Sequence, residues 1–373
     1  MQTLPPVFSD LRAELNAAFE ERSQEVTCML TALLAGEHVL LLGPPGTGKS
    51  ALAKALSSAL GGSFFERLFT KFTVPEEVFG PFSVAGLKAD RYERQIAGYL
   101  PTAELAFLDE IFKANSAILN ALLTLLNERE FDNGTTRLAC PLAMAIGASN
   151  ELPAENEGLE ALYDRFVLRR DVKYIASRDA RKSLLTSGGA GKITTRIGTQ
   201  DLVQGREVAR AVVVPDSVVD QILDLRDALA QKCGIEVSDR RMVKLMKIVR
   251  AHAALSGRSV ATSDDLFILV DALWNRPEER AAVYGQLAII AAPGLVDALK
   301  VYDAAVELHQ KVKGLEMTSK NLSQIADANK ALQSMAVQVE QLGSDSRIVE
   351  LAGKVKVMHA DLARLAMKAL TGK

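Results

Sequence analysis

The sequence predicts an α/β fold, a parallel sheet between helices, followed by an α-helical lid and a C-terminal three-helix bundle. Three observations carry that expectation. Residues 39–56, VLLLGPPGTGKSALAKAL, read as an apolar strand, a glycine-rich loop and the start of a helix. From 39 to about 176, apolar strand-like runs alternate with helical stretches, the pattern of a parallel sheet covered by helices. From about 284 the chain is helical by pattern, with apolar residues alternately three and four apart.

Residues 9–35 read as two helices leading into the first strand. HVLLLG is short, continuous and apolar and ends in glycine, as a buried parallel strand does. GPPGTGKS fits the phosphate-loop pattern G-x-x-x-x-G-K-[ST]. Gly43, Gly46 and Gly48 let backbone N–H groups turn inward around a β-phosphate, with Pro44, Pro45 and Thr47 completing the loop. Lys49 can reach the β- and γ-phosphates, and the Ser50 hydroxyl can ligate Mg²⁺. A glycine-rich turn without a ligand is the plainer reading, and the strand before and helix after count against it.

SFFERLFT, AELAFLDE, LAMAIGASN and FVLRRDVKYI supply the remaining strands. Two segments interrupt the alternation. Residues 82–100 look like a hairpin inserted before the third strand, and 128–145 contain the hairpin-turn signal Asn133-Gly134. The domain boundaries expected are 1–176 for the nucleotide-binding domain, 177–215 for a connecting region, 216–276 for the lid and 284–373 for the C-terminal bundle. The connecting region is rich in Ser, Thr and Gly, with TSGGAGK its most flexible part. Lid helices fit 216–232, 239–256 and 263–274, and Pro277 closes them. In the tail, stripes run from Leu295 to Val312, from Ile325 to Leu342 and from Ile348 to Ala369, with breaks near Gly314 and at LGSDS. Three antiparallel helices with these stripes facing inward is the simplest arrangement, and the stripes read as core.

A chain of 373 residues implies two or three domains. A net charge of −2 gives no global pull toward nucleic acid or an anionic membrane. The three cysteines are isolated and form no C-x-x-C pair, which argues against a disulfide framework or a zinc site. No signal peptide and no apolar run of about 18 residues is visible, so a soluble cytoplasmic protein is expected.

Further residues narrow the phosphate chemistry. LAFLDE ends a strand with Asp109, placed to hold Mg²⁺ through water, and Glu110, placed to polarise an attacking water. Asn150 ends another strand in IGASNELP, where an amide can orient water near a γ-phosphate. Arg165 lies in LEALYDRFVLRR, and Arg240 and Arg241 lie in VSDRR. Alone, the acids read as a solvated strand end, the asparagine as a turn residue and each arginine as a surface residue.

In this order, GPPGTGKS, FLDE, ASNELP, LYDRF and SDRR resemble AAA+ ATPases of the MoxR group. TVPEEVFGPFS, RYERQIAGYLP, ILNALLTLLNERE and SDRRMVKLMKIVRAHAALSGR are most similar to the RavA-type subfamily, over roughly 1–276. The resemblance implies a Walker A motif with Lys49 and Ser50, and a Walker B motif with Asp109 and Glu110. It makes Asn150 sensor 1, Arg165 the arginine finger and Arg240 sensor 2, with Arg241 a close rival. The two interruptions match the helix-2 insert and the pre-sensor-1 hairpin of that clade. It further implies a homo-oligomeric ring, usually a hexamer, in which Arg165 of one subunit completes its neighbour's ATP site. RavA-type proteins can carry a small β-module within the C-terminal helical domain; here KVKGLEMTSKN joins those helices directly.

The function implied is a Mg-ATP-hydrolysing, chaperone-like remodeller of protein partners, working with a protein that carries a von Willebrand factor A domain. The alternative is a nucleic-acid motor of the helix-2-insert clade, with Lys88, Arg91, Tyr92 and Arg94 near the insert tip touching phosphates. The acidic net charge favours the protein partner. A scaffold that only holds ATP would not need the full catalytic set.

Overall fold

Runs such as HVLLL and MAIGAS have no polar face to give to water, so they fold as strands buried on both sides. The structure, a computed structural model, describes residues 3–153, 159–187, 191–313, 319–343 and 345–371. It divides into two compact units, Met1–Asp220 with Gly234–Arg280, and Gln221–Cys233 with Ala281–Lys373.

The first unit opens with α1 (Val7–Ala18) and α2 (Ser23–Ala35), the two helices expected ahead of the first strand. Then follow β1 (His38–Leu42), α3 (Lys49–Leu60), β2 (Phe64–Leu68), α4 (Pro75–Phe79), α5 (Val84–Lys88), β3 (Leu105–Asp109) and α6 (Ser116–Glu128). Next come β4 (Glu130–Asn133), β5 (Thr136–Ala139), β6 (Met144–Ser149), α7 (Glu160–Tyr163) and β7 (Phe166–Asp171). One five-stranded sheet has the order β2-β3-β6-β1-β7, and every pairing within it is parallel. β1 lies between β6 and β7, so the loop leaving its carboxyl end opens near the middle of the sheet, where ligands of open α/β folds bind.

β4 and β5 form the hairpin expected from Asn133-Gly134. Asn133 is its last paired residue, opposite Thr136, and Gly134 turns the chain with φ 66°. The segment 82–100 is not a full hairpin. Its antiparallel pairing is one bridge, Phe82 with Arg94, flanked by hydrogen bonds from Ser83 N to Glu93 O and from Gln95 N to Pro81 O. The tip coils into α5 instead, because the Ser83 hydroxyl caps the Gly86 N–H at 3.1 Å.

Nor is 177–215 a plain connector. It holds α8 (Arg178–Ser187) and α9 (Thr199–Ala211), and α9 packs on α2 and on α11 (Asp239–Leu255). Within TSGGAGK, residues 188–190 lie outside the described residues. Of the expected lid helices, 263–274 is a 3₁₀ segment, Ser263–Leu269, continued by α12 (Val270–Leu273). α10 (Asp216–Cys233), continuous as expected, contributes Gln221–Cys233 to the second unit.

The second unit continues with α13 (Arg280–Ala291), α14 (Leu295–Lys313), α15 (Ser319–Gln341) and α16 (Ser346–Thr371). The apolar stripes of the last three helices meet: Ala305, Val312, Ile325, Leu332, Val355 and Leu362 form one buried cluster. Glu340–Lys356 and His309–Asp361 pairs tie α15 and α14 to α16. The breaks expected at Gly314 and within LGSDS include residues 314 and 344, outside the described residues.

Candidate functional site

The loop 43–48 is held open by backbone that only glycine adopts freely. Gly43, Gly46 and Gly48 have φ of 143°, 78° and 87°. At Gly43 the reason is also space, since a Cβ there would lie 2.1 Å from the Val172 carbonyl oxygen. The Thr47 hydroxyl donates to Pro44 O at 3.0 Å and closes the loop internally. Lys49 and Ser50 then begin α3, so the N–H groups of its first turn point into the loop. Lys49 is buried, and its ammonium donates to Gly43 O, to Pro44 O at 3.1 Å and to Asn150 Oδ1 at 3.2 Å. Burial lowers its pKa, while Asp109 and Glu110 pull it back up.

The residues singled out at the ends of β3 and β6 converge on this lysine. Asn150 accepts from Lys49 and donates from Nδ2 to Glu110 Oε1, so lysine, amide and carboxylate form a chain. Glu110 is buried and sits in the left-handed region at φ 51°, a conformation costly for a residue with a Cβ and frequent at functional sites. Its Oε2 lies 3.2 Å from Lys113 Nζ. The carboxylate also helps wall a cleft of about 480 Å³ with Lys71, Lys113, Asn115 and Glu151. Burial raises the pKa of Asp109, the Glu110 N–H lowers it, and the Glu110 charge raises it further.

The Glu110 Oε2 atom, buried beside Asp109 and making no hydrogen bond, is the observation against which a metal here is tested. A divalent cation fits two adjacent carboxylates at this strand end, and burial of Asp109 points the same way. Among the described residues no group of three or more His, Cys, Asp or Glu is placed to hold a metal. Ser50 and Asp109 are the residues that would hold such an ion, together with water and phosphate.

The arginines form a second cluster. Arg165 follows α7 in a two-residue turn, and its Nε is buried without a hydrogen-bond partner. Burial first, and then Arg240, lower its pKa, while Asp164 and Glu128 raise it. Arg240 is exposed and donates to Asn127 Oδ1. Among the described residues, no hydrogen bond or ion pair joins Arg165 or Arg240 to Lys49, Asp109, Glu110 or Asn150. Arg241 separates from its neighbour: it is buried, donating to Ala272 O at 2.9 and 2.6 Å and to Asp164 at 3.1 Å. Of the two rivals, Arg240 is therefore the one with a guanidinium at the surface.

Sequence reasoning missed the residues that brace this site. Arg22 donates to Thr47 O and Lys173 O from the start of α2, and Tyr174 donates to Pro45 O at 3.2 Å. Asn133 of the β4–β5 hairpin accepts from Arg94 N at 2.6 Å and donates to Arg94 O at 3.1 Å, clasping the insert. No local pattern marks such partners. Arg22 precedes a helix and Asn133 reads as a turn residue.

A parallel sheet of this order, with a glycine loop after β1 and a helical segment following in the chain, is the fold of an AAA+ ATPase. A family model described as the MoxR domain in MoxR–vWA–β-propeller ternary systems matches residues 7–210, and one described as an AAA lid domain matches 217–287. The chain is 44% identical over 270 residues to the uncharacterized protein MJ0812 of Methanocaldococcus jannaschii, covering 72% of each. It is 25% identical over 292 residues to the chaperone MoxR1 of Mycobacterium tuberculosis, covering 74% of this chain and 76% of that one. A solved structure of a candidate ATPase from Cytophaga hutchinsonii shares the fold at a TM-score of 0.61 and 18% identity, over 76% of this chain and 93% of that one. The chain belongs to the MoxR family of AAA+ ATPases.

Proposed function

We propose that this protein hydrolyses Mg-ATP as one subunit of a homo-oligomeric ring, a hexamer as is usual for its family, and remodels protein partners in the cytoplasm.

 The observation that carries this reading is the chain from Lys49 through Asn150 to Glu110 at the mouth of the glycine loop. The N–H groups of the loop and of the first turn of α3 cradle the phosphates, and Lys49 exchanges its loop carbonyls for the β- and γ-oxygens. Ser50 and Asp109 would hold a magnesium ion, which would supply positive charge for the transferring phosphoryl group. Glu110 orients and polarises the attacking water, and Asn150 fixes the direction of that carboxylate.

Arg165 and Arg240 supply the positive charge that the site lacks in its own subunit. Arg165 has a buried Nε with no hydrogen-bond partner and makes no hydrogen bond or ion pair with its own loop, which suits a guanidinium that completes a neighbour's site. Arg240 lies beside it and serves the same neighbouring nucleotide. The partner fitting the family is a protein with a von Willebrand factor A domain, as the matched MoxR domain is described in systems with one. Among the described residues no helix is long and apolar enough to cross a membrane. The nucleic-acid alternative draws little from the insert, where Arg91 pairs with Glu93 and Arg94 with Glu76.

Mixing Arg165→Ala with Lys49→Ala tests the shared site. Each variant alone should turn over ATP about 10³-fold or more below the wild type, the scale of an arginine finger. Mixed rings should regain part of the activity, because an intact arginine then meets an intact loop. Mixed rings shown to form, yet without any regained turnover, would place Arg165 within its own site and end this reading.

A further inference from the structure

The turn carrying Arg165 is fastened to the lid on both sides. Asp164, the residue before it, accepts a hydrogen bond from Arg241 Nη1 at 3.1 Å. Arg241 is itself anchored, with Nε and Nη2 donating to Ala272 O at 2.9 and 2.6 Å. Tyr163, one residue earlier, donates its hydroxyl to Asn275 O at 2.6 Å. The Arg169 guanidinium, just past the turn, stacks 3.8 Å over the Tyr163 ring and donates to Trp274 O at 2.6 Å. Three side chains around Arg165 thus converge on 272–275, while the Arg165 Nε makes no hydrogen bond.

We propose that Arg241 and Asp164 are positioning residues that aim Arg165, so that the lid segment 272–275 sets the direction in which its guanidinium projects. This rests on the reading of Arg165 as the group that completes a neighbour's site. An arginine suits the task, because its planar fork grips a carbonyl and a carboxylate together where a lysine offers one point charge. The arrangement couples lid and arginine within one subunit, so a lid displaced by its own nucleotide changes the aim of the group offered to the next subunit.

The test uses the full chain with Asp164→Ala. The Asp164 side chain is 45% exposed and Arg241 keeps both bonds to Ala272 O, so the fold should survive its removal with a modest loss of stability. A misaimed reactive group loses roughly 10–100-fold in rate. The expected result is a kcat lower by that factor, with KM for ATP within about twofold, ring mass unchanged and Tm lowered by no more than about a few degrees. Asp164→Asn, which still accepts one hydrogen bond, should fall between this variant and the wild type. Should Asp164→Ala fail to fold, Asp164→Asn carries the same readouts.

Mixing with Lys49→Ala separates aim from general structure. Lys49→Ala subunits carry an intact turn, so mixed rings should recover turnover, as Arg165→Ala with Lys49→Ala does in parallel. A local structural defect in the Asp164 variant's own loop would not be rescued. If the Arg165 pair recovers activity while Asp164→Ala keeps wild-type kcat, or loses it without rescue, the proposal is overturned and the shared-site reading stands. If the Arg165 pair itself shows no recovery in proven mixed rings, both fall together.

Discussion

Arg22 donates to the carbonyl of Thr47 from both Nε and Nη2, at 3.3 and 3.1 Å, and its Nη2 also reaches Lys173 O at 2.8 Å. The guanidinium is buried and bridges the glycine loop to the segment after β7. The loop is therefore braced from outside as well as by its own Thr47 hydroxyl.

Arg22→Ala should loosen the loop. A hydrogen bond to a charged group contributes roughly 1.5–3 kcal/mol, so about that much stability should be lost, with the Thr47 carbonyl left without this partner. ATP affinity should fall as the loop becomes less ordered. Thermal unfolding and equilibrium nucleotide binding check both parts. A variant with wild-type affinity would mean that the loop keeps its shape without the brace.

Glu110→Gln should keep ATP binding and stop turnover. The amide cannot act as the base toward water, while Lys49, Ser50 and Asp109 are untouched. Lys49→Ala should lose binding itself. Nucleotide binding measured beside phosphate release separates the two. Near-wild-type hydrolysis by Glu110→Gln would remove Glu110 from the chemistry.

The features legible in the sequence are those written locally. The glycine loop, the strand ends at Asp109 and Asn150 and the Asn133-Gly134 hairpin each depend on a few adjacent residues, and the fold has each of them. What could not be read depends on distant partners. Two adjacent arginines in β7, Arg169 and Arg170, look misplaced in a buried strand until Trp274 and Asp271 appear, about a hundred residues later. Burial disfavours the Arg170 charge, but Asp271, Cys28 and Glu25 outweigh it and raise the pKa. Likewise the apolar spacing of α10 marks a helix but does not say which unit its second half joins.

The clasp at Asn133 leads to a third expectation. Its amide satisfies both the N–H and the C=O of Arg94, as a paired strand would. Asn133→Ala leaves both groups without that partner, at a cost of roughly 1–3 kcal/mol. Hydrogen exchange of the insert, 82–100, should accelerate while the sheet strands stay protected. Unchanged exchange at Arg94 would mean that the Phe82 bridge and the Glu76 pair hold the insert unaided.

The last expectation concerns α10 and the C-terminal helices. Ending the chain after Arg280 keeps the Arg280–Asp271 pair, 2.9 Å long, and every residue of the candidate site. It removes Ala281–Lys373 and leaves Gln221–Cys233 without the rest of their unit. Ile222, Leu225 and Leu229 are 3%, 1% and 0% exposed in the full chain, and the hydrogen bond from Gln221 Nε2 to Ile290 O is lost as well. Burying a leucine or isoleucine contributes about 1.5–3 kcal/mol, so an uncovered row of three is an aggregation surface. The truncated chain should scatter light and melt early. The same truncation carrying Ile222→Gln, Leu225→Gln and Leu229→Gln should stay dispersed and hydrolyse ATP, because no proposed site residue lies on that face. A plain truncation that is monodisperse, with the full chain's Tm, would show that α10 does not depend on the C-terminal helices for cover.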